Sequence, residues 1–154
     1  IELAAGALEP LSELAKNLKP SAHAIQARLY AEDPGRDFQP SPGLLTAVQF
    51  PVADGKCLRI DTWVEAGCEI PPYFDPMIAK LITWAPTREE SSAALNQALA
   101  DTLLYGVETN SQYLRQIISD APFAEGNPWT RCLEGLVYQA HTFEVLSAGT
   151  QTSL

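Results

Sequence analysis

The sequence predicts an α+β domain built on a mostly antiparallel sheet packed by helices. Three observations carry this expectation. Residues 22–30 and 57–65 alternate apolar and polar side chains with the period of two that a half-exposed strand requires, and 44–50 is a further strand-like run. Residues 88–104 and 111–120 instead repeat their apolar side chains with the helical period. The strand-like segments come first and the helix-like segments later, without the regular alternation of a parallel sheet.

The bulk numbers bound the rest. A chain of 154 residues holds one domain with a real core and is too short for two large ones. Hydrophobic residues make up 46 % of it, which argues against disorder. The formal charge is −9 and no lysine or arginine cluster is present. Nucleic acid and anionic membrane surfaces are therefore disfavoured as partners. Cys57, Cys68 and Cys132 are odd in number, widely spaced and form no C-x-x-C pair, so a reduced, cytoplasmic chain is expected rather than a disulfide framework or zinc site. No apolar stretch approaches the ~20 residues that span a bilayer. The chain starts at Ile1 without a methionine or a basic leader, and is expected to be a segment of a longer polypeptide.

Residues 8–18, "LEPLSELAKNL", predict a short helix with Pro10 near its start and Leu11, Leu14 and Leu18 on one face, ended by "KP". In the strand that follows, His23, Ile25, Ala27 and Leu29 share one face and Gln26, Arg28 and Tyr30 the other. "EDPGRDFQPSPG" (32–43) reads as ordered turns. "LLTAVQF" (44–50) is a second strand, "VADGK" carries an Asp-Gly turn signal, and "CLRIDTWVE" (57–65) is a third. A proline-rich turn then leads into a strand around 78–84. Thr87 and Glu90 form a capping box ahead of a helix whose stripe is Ala94, Leu95, Ala98, Leu99 and Thr102. "YGVE" is an extended link, and Asn110 is expected to cap a helix burying Tyr113, Leu114, Ile117 and Ile118. Gly126 and Pro128 mark a turn before a last helix over 129–138. In the tail "HTFEVLSAGTQTSL", "FEVL" is a fresh strand followed by a glycine turn and a polar end.

Chemistry is sparse when the residues are taken one motif at a time. No phosphate-binding glycine loop, nucleophile elbow or H-E-x-x-H is present. His23, on the apolar face of its strand, reads as a core histidine. "PPYFDPMIAK" (71–80) groups rigid prolines, two aromatics, Asp75 and Lys80, and reads first as a stiff corner. Trp63, Trp84 and Trp129 read as core or interface residues. The conspicuous residue is Arg28, an obligatory cation in the middle of a strand: either a solvated side chain or one held for a developing negative charge.

Seven ordered blocks alter that balance. "HAIQARLYAEDP", "FQPSPG", "RIDTWVEAG", "PPYFDPMIAKLITW", "TREESSAALNQAL", "YGVETNSQYLRQII" and "FAEGNPWTRCLE" together resemble the C-terminal lobe of biotin carboxylase, over residues 1–136. "DTWVEAG" and "YGVETNSQYLRQ" look like the urea carboxylase branch, and the tail resembles the opening strand of the carboxyltransferase region that follows in that branch. The resemblance divides the chain into a helical lead-in at 1–20, the lobe at 21–138 and the truncated start of the next region at 139–154.

The resemblance also implies chemistry. Biotin carboxylases activate bicarbonate with MgATP and carboxylate protein-linked biotin; urea carboxylase then passes the carboxyl group to urea, giving allophanate. Other members, of the acetyl-CoA or pyruvate type, are the alternative. By resemblance, Arg28 is the catalytic and biotin-binding residue, donating to the ureido oxygen and favouring the enolate form of the cofactor. A planar guanidinium suits that charge better than an ammonium would. The family commonly has glutamate where this chain has Gln26, so Tyr30, Asp33 or Asp75 are alternative supports for Arg28. Thr130 matches a stretch near the adenine edge of the nucleotide. No metal ligand is expected in this segment. Biotin, ATP and Mg²⁺ are expected in the full enzyme, with an ATP-grasp lobe and a biotin carrier domain as partners in the same polypeptide. The isolated lobe is expected to be inactive. It could alternatively serve as an interaction module, with Arg59, Asp61 and Trp63 on one face as a homodimer patch.

Overall fold

Strand alternation, helix capping and one buried apolar layer account for most of the architecture. The computed structural model describes residues 15–16, 18–140, 144–147 and 150–153, the last two stretches through their backbone. The strands are β1 (His23–Tyr30), β2 (Glu32–Asp33), β3 (Gln39–Pro40), β4 (Gly43–Leu44), β5 (Ala47–Gln49), β6 (Leu58–Thr62), β7 (Glu69–Ile70) and β8 (Met77–Ala85). Helix α1 (Arg88–Ala100), strand β9 (Leu103–Tyr105), helices α2 (Ser111–Ser119) and α3 (Ala121–Ala124), and strands β10 (Glu144–Ser147) and β11 (Thr150–Ser153) follow.

The main sheet has the order β1–β8–β6, with β8 antiparallel to both neighbours. Four two-stranded pairs, β2–β3, β4–β7, β5–β9 and β10–β11, are also antiparallel. This is the expected mostly antiparallel α+β arrangement.

One face of the main sheet is apolar and closed. Ile25, Ala27 and Leu29 of β1 and Ala79 and Leu81 of β8 are buried there. Helix α1 packs against β8 and β1, and its Leu95, Ala98 and Leu99 join the same core. Thr83 is the polar member of that layer. Its Oγ1 donates to the Ser91 carbonyl at 2.9 Å, so the hydroxyl is buried with its hydrogen bond made. The opposite face carries the alternate residues of each strand. Gln26, Arg28 and Arg59 are exposed there, while Asp61 and Lys80 are half-buried.

Local rules held where the signal was local. The Thr87–Glu90 capping box forms in both directions: Thr87 Oγ1 accepts from the Glu90 amide at 3.2 Å, and Glu90 Oε2 accepts from the Thr87 amide at 3.3 Å. The Asp54–Gly55 turn also forms. Asp54 Oδ1 accepts from the amides of Cys57 at 2.8 Å, Lys56 at 2.9 Å and Leu58 at 3.0 Å. These bonds, that from Cys57 foremost, hold the Asp54 carboxyl at about 2.

Several expectations are corrected. Residues 44–50 are not one strand: β4 pairs with β7 and β5 with β9, because the buried Leu45 turns the chain between partners. The Asp-Gly turn therefore joins strands of different sheets and makes no hairpin. Helix α1 stops at Ala100, and Leu103–Tyr105 forms β9 rather than helix. Of the expected buried face of α2, Ile118 is buried while Tyr113, Leu114 and Ile117 are half-buried. Residues 129–138 contain only a 3₁₀ turn at Cys132–Gly135 instead of a helix. The polar end beyond "FEVL" is itself a strand, β11, paired with β10. His23 is exposed at the end of β1 and is not a core residue, since the buried stripe starts at Ile25. Trp63 and Trp129 are 57 % and 60 % exposed and Trp84 is half-buried, so none of the tryptophans belongs to the core. The expected helix over 8–18 lies outside the described residues apart from Ala15, Lys16 and Leu18.

Among the described glycines, Gly106 is the position where a side chain has least room. Its φ is +109°, and a Cβ there would sit 2.0 Å from the Leu44 carbonyl oxygen.

Two outcomes are expected. Leu81 is fully buried between the strands and α1, so Leu81→Ala should lower the unfolding free energy by about 2–5 kcal/mol in a denaturant titration. Asp54 has its pKa depressed from 3.8 in the folded state, so its contribution to stability is present above 3.8 and is lost as pH falls toward about 2. An NMR titration should place the Asp54 midpoint there, and Asp54→Asn should remove the acid-range transition of the 52–58 turn.

Candidate functional site

The site is built on the open face of the main sheet. Antiparallel register sets Arg28 of β1 opposite Lys80 of β8, and Lys80 opposite Asp61 of β6. The next row is Gln26, Ile82 and Arg59. Residues aligned across neighbouring strands share a face, so these two rows form one surface.

Charge is distributed unevenly along the row. Lys80 Nζ lies 3.0 Å from Asp61 Oδ2. Arg59 donates to the same carboxylate from Nε at 2.8 Å and from its second nitrogen at 3.1 Å. The Arg59 hydrogen bond, followed by that of Lys80, lowers the Asp61 pKa. Arg59 is raised reciprocally by Asp61. Two cations thus share one anion at the β6 side. Arg28, at the β1 side, is exposed and makes no hydrogen bond or ion pair through its guanidinium among the described residues. The surface carries three cations against one anion, on a chain whose overall charge is −9.

The residues expected to support Arg28 fall in different places. Gln26 is exposed two positions along the same face. Tyr30 is half-buried at the end of the strand, past a register irregularity between Leu29 and Tyr30. Asp33 is engaged elsewhere: its Oδ1 accepts from the Gly35 amide at 2.8 Å, and its other oxygen is 3.4 Å from Arg36 Nε. It also lines a cleft of about 960 Å³, with Tyr105, Glu108, Arg115 and Tyr138, that does not include Arg28. Asp75 is exposed and accepts from the Met77 amide at 3.1 Å in the turn before β8. Its charge, added to partial burial as the larger cause, pushes the Glu32 carboxyl above its usual range. Neither Asp33 nor Asp75 is an ion-pair partner of Arg28. Thr130 is exposed just ahead of the 3₁₀ turn at Cys132–Gly135.

The backbone under Arg28 has a partner the sequence did not reveal. Asn110 is 7 % exposed, and its side chain does not cap α2. Its Oδ1 accepts from the Tyr30 amide at 2.9 Å, and its Nδ2 donates to the Arg28 carbonyl at 3.2 Å. The Asn110 amide also donates to the Tyr30 carbonyl at 3.2 Å. These contacts span 80 and 82 positions, and no local pattern signals a pairing at that separation. The aromatic pair in "PPYF" is as exposed as its turn suggests, Tyr73 at 87 % and Phe74 at 77 %.

The arrangement is suited to meeting an anion. An unpaired guanidinium stands on a rigid strand, its neighbour Lys80 is held by Asp61, and the surrounding face is open. Among the described residues, no group of three or more His, Cys, Asp or Glu side chains is placed to hold a metal ion. The three cysteines are all free thiols.

Comparison with known proteins bears on the family of the chain. Residues 26–135 match the biotin carboxylase C-terminal domain family. The urea amidolyase of Lachancea kluyveri is 41 % identical over 138 residues, covering 90 % of this chain and 7 % of that protein. The crystal structure of the Kluyveromyces lactis urea carboxylase is 43 % identical, with a TM-score of 0.74 over 87 % of this chain and 12 % of that one. The biotin carboxylase domain dimer of Hydrogenobacter thermophilus 2-oxoglutarate carboxylase, solved with MgADP, ADP and bicarbonate, is 35 % identical. It superposes with a TM-score of 0.72 over 77 % of this chain and 26 % of that one. The chain therefore spans only a small part of these relatives. The family match covers well over half of its residues, and with it the strand bearing Arg28, the proline-rich turn and both helices that brace the sheet; the chain belongs to the biotin carboxylase C-terminal domain family.

Proposed function

We propose that this chain is the C-terminal lobe of the biotin carboxylase domain of a urea carboxylase, and that Arg28 is its catalytic residue. The observation that carries the reading is the state of Arg28: exposed, without a partner for its guanidinium, and mounted on a strand fixed from both sides. The urea branch is supported by the identities of 41 % and 43 % to a urea amidolyase and a urea carboxylase. In this reading the full enzyme acts in the cytoplasm, and no helix among the described residues is long and apolar enough to cross a membrane.

The donor set fits biotin. When bound, biotin supplies a ureido nitrogen as carboxyl acceptor and a ureido oxygen on which negative charge builds. Arg28 would hold that oxygen, supplying planar N–H donors to its charge. Donors fixed before the reaction stabilise developing charge without having to reorganise. Lys80 does not compete for the same anion, because Asp61 holds its ammonium at 3.0 Å. Lys80 and Asp61 balance each other in the row of Arg28, and Arg59 in the next row leaves the face with a net positive charge, which favours an anion there.

On this reading the described residues supply neither the phosphate site nor the Mg²⁺ site. The sequence lacks a glycine-rich phosphate loop, and the described residues offer no metal cluster. On this reading both belong to an ATP-grasp lobe elsewhere in the polypeptide, biotin arrives on a carrier domain, and the lobe alone is inactive. By the resemblance, Thr130, exposed ahead of the last 3₁₀ turn, would lie near the adenine edge of the nucleotide.

In the complete carboxylase, Arg28→Ala should lower biotin carboxylation by about 10²–10³-fold, the scale of one lost oxyanion donor. Bicarbonate-dependent ATP cleavage should fall far less. Carboxylation within a few-fold of wild type would overturn the assignment.

A second reading, pairing of two copies through the lobe, is favoured by one observation. Strand β6 is an edge of the main sheet, and Trp63 just beyond it is 57 % exposed with its indole N–H donating to the Met77 carbonyl at 2.8 Å. Light scattering over a concentration series should show a dimer that Arg59→Glu weakens; a monomer at the highest concentrations removes this reading.

A further inference from the structure

We infer that Asn110 is a positioning residue for Arg28, a role that rests on the reading of Arg28 given above. Strand β1 lies at the edge of the main sheet, so β8 holds it from one side only. The ladder with β8 also shifts register between Leu29 and Tyr30. Sheet pairing thus loses its grip one residue after Arg28, where a bulge ordinarily lets a strand bend and twist.

Asn110 supplies what the sheet does not. A neighbouring strand would offer the free edge an acceptor for one N–H and a donor for the carbonyl two residues earlier. The carboxamide of Asn110 offers both: Oδ1 to the Tyr30 N–H and Nδ2 to the Arg28 carbonyl. Its own backbone N–H closes a third bond, to the Tyr30 carbonyl. Only an amide side chain carries an acceptor and a donor together at that reach; aspartate lacks the donor.

The residue itself is anchored. Its carbonyl accepts from the Leu114 amide at 2.9 Å, which ties it to the first turn of α2. Its φ of −80° and ψ of 10° depart from the extended conformation of a capping asparagine, and its side chain is thereby free to reach β1. Helix α2 packs against α1 and β1, so the clamp is referred to the same core as the sheet.

The consequence is geometric. A catalytic donor has to be held within about 0.5 Å and 10–20° of its productive position. A guanidinium at the end of a long side chain magnifies any tilt of its own peptide. Asn110 removes the tilt at the carbonyl of Arg28 and at the next amide but one.

The test is a double-mutant cycle in the complete carboxylase, with hydrogen exchange on the same proteins. Asn110→Ala should lower kcat for biotin carboxylation by about 10–10²-fold, the range a misplacement near 1 Å produces. The KM for ATP and the bicarbonate-dependent cleavage of ATP should stay near wild type. Added to Arg28→Ala, it should cost nothing further, because its effect passes through the arginine. Asn110→Asp, which keeps the shape and the acceptor, should reproduce the loss and serves if the alanine variant does not fold. The Tyr30 amide should exchange faster in either variant, with the Leu81 amide unchanged. Losses that multiply in the double mutant, or carboxylation within two-fold of wild type in Asn110→Asp, would overturn the role. If Arg28→Ala is itself without effect, it is the reading of Arg28 that fails, and the exchange of Tyr30 still reports the clamp by itself.

Discussion

The register of β1 on β8 is the constraint on which the rest of this lobe depends. Side chains along a strand alternate faces, so a slip of one residue would exchange Ile25, Ala27 and Leu29 for Ala24, Gln26 and Arg28 in the core. Such a slip would bury an unpaired guanidinium against α1, at a cost of several kcal/mol for an ion left without a partner. It would also place Leu29 in water. The correct pairing is therefore selected both by what it buries and by what it keeps out. The buried Thr83–Ser91 hydrogen bond adds a polar contact that forms only when β8 and α1 are aligned.

That register turns a folding requirement into a chemical arrangement. The same alternation that closes one face over Leu95 and Leu99 delivers Arg28, Lys80 and Asp61 as a single row on the other. The asymmetry of the row matters more than its total charge. Asp61 is occupied by Arg59 and Lys80, both on its own side, and the arginine at the far end is left with hydrogen-bonding capacity unspent. In a chain with 19 acidic residues against 10 basic ones, keeping carboxylates away from that guanidinium is a specific feature of the placement. Asp33 and Asp75, the acids expected to support it, are both engaged by backbone amides of turns.

How much of this could be read from the sequence follows the range of the interactions. The Thr87–Glu90 box, the Asp54 turn and the two faces of β1 were legible because each is decided within about four residues. The splitting of 44–50 between two partners was not, since β7 and β9 lie elsewhere in the chain. The strand at 103–105 was not legible for the same reason: Leu103 and Leu104 fit a helical stripe equally well until β5 is there to pair with them. For the site, ordered blocks of resemblance singled out Arg28. Asn110 was visible only as a helix-start residue, because its side-chain partners lie 80 and 82 positions upstream and the sequence around them carries no mark of the pairing. His23 shows the limit of alternation: the pattern places it on the inner face, yet the core does not extend to the end of the strand.

Gly106 gives the site a length standard. The chain there passes so near the Leu44 carbonyl that no substituent fits, which fixes one end of the link into α2. Asn110, hooked onto β1, fixes the other. Three residues bridge these two points of contact, with no slack to absorb a change in number. Across descendants of this lobe, insertions and deletions should accumulate in the solvent-facing 52–56 turn and be purged from the 107–109 stretch, where one residue more or fewer would draw the hook off its strand.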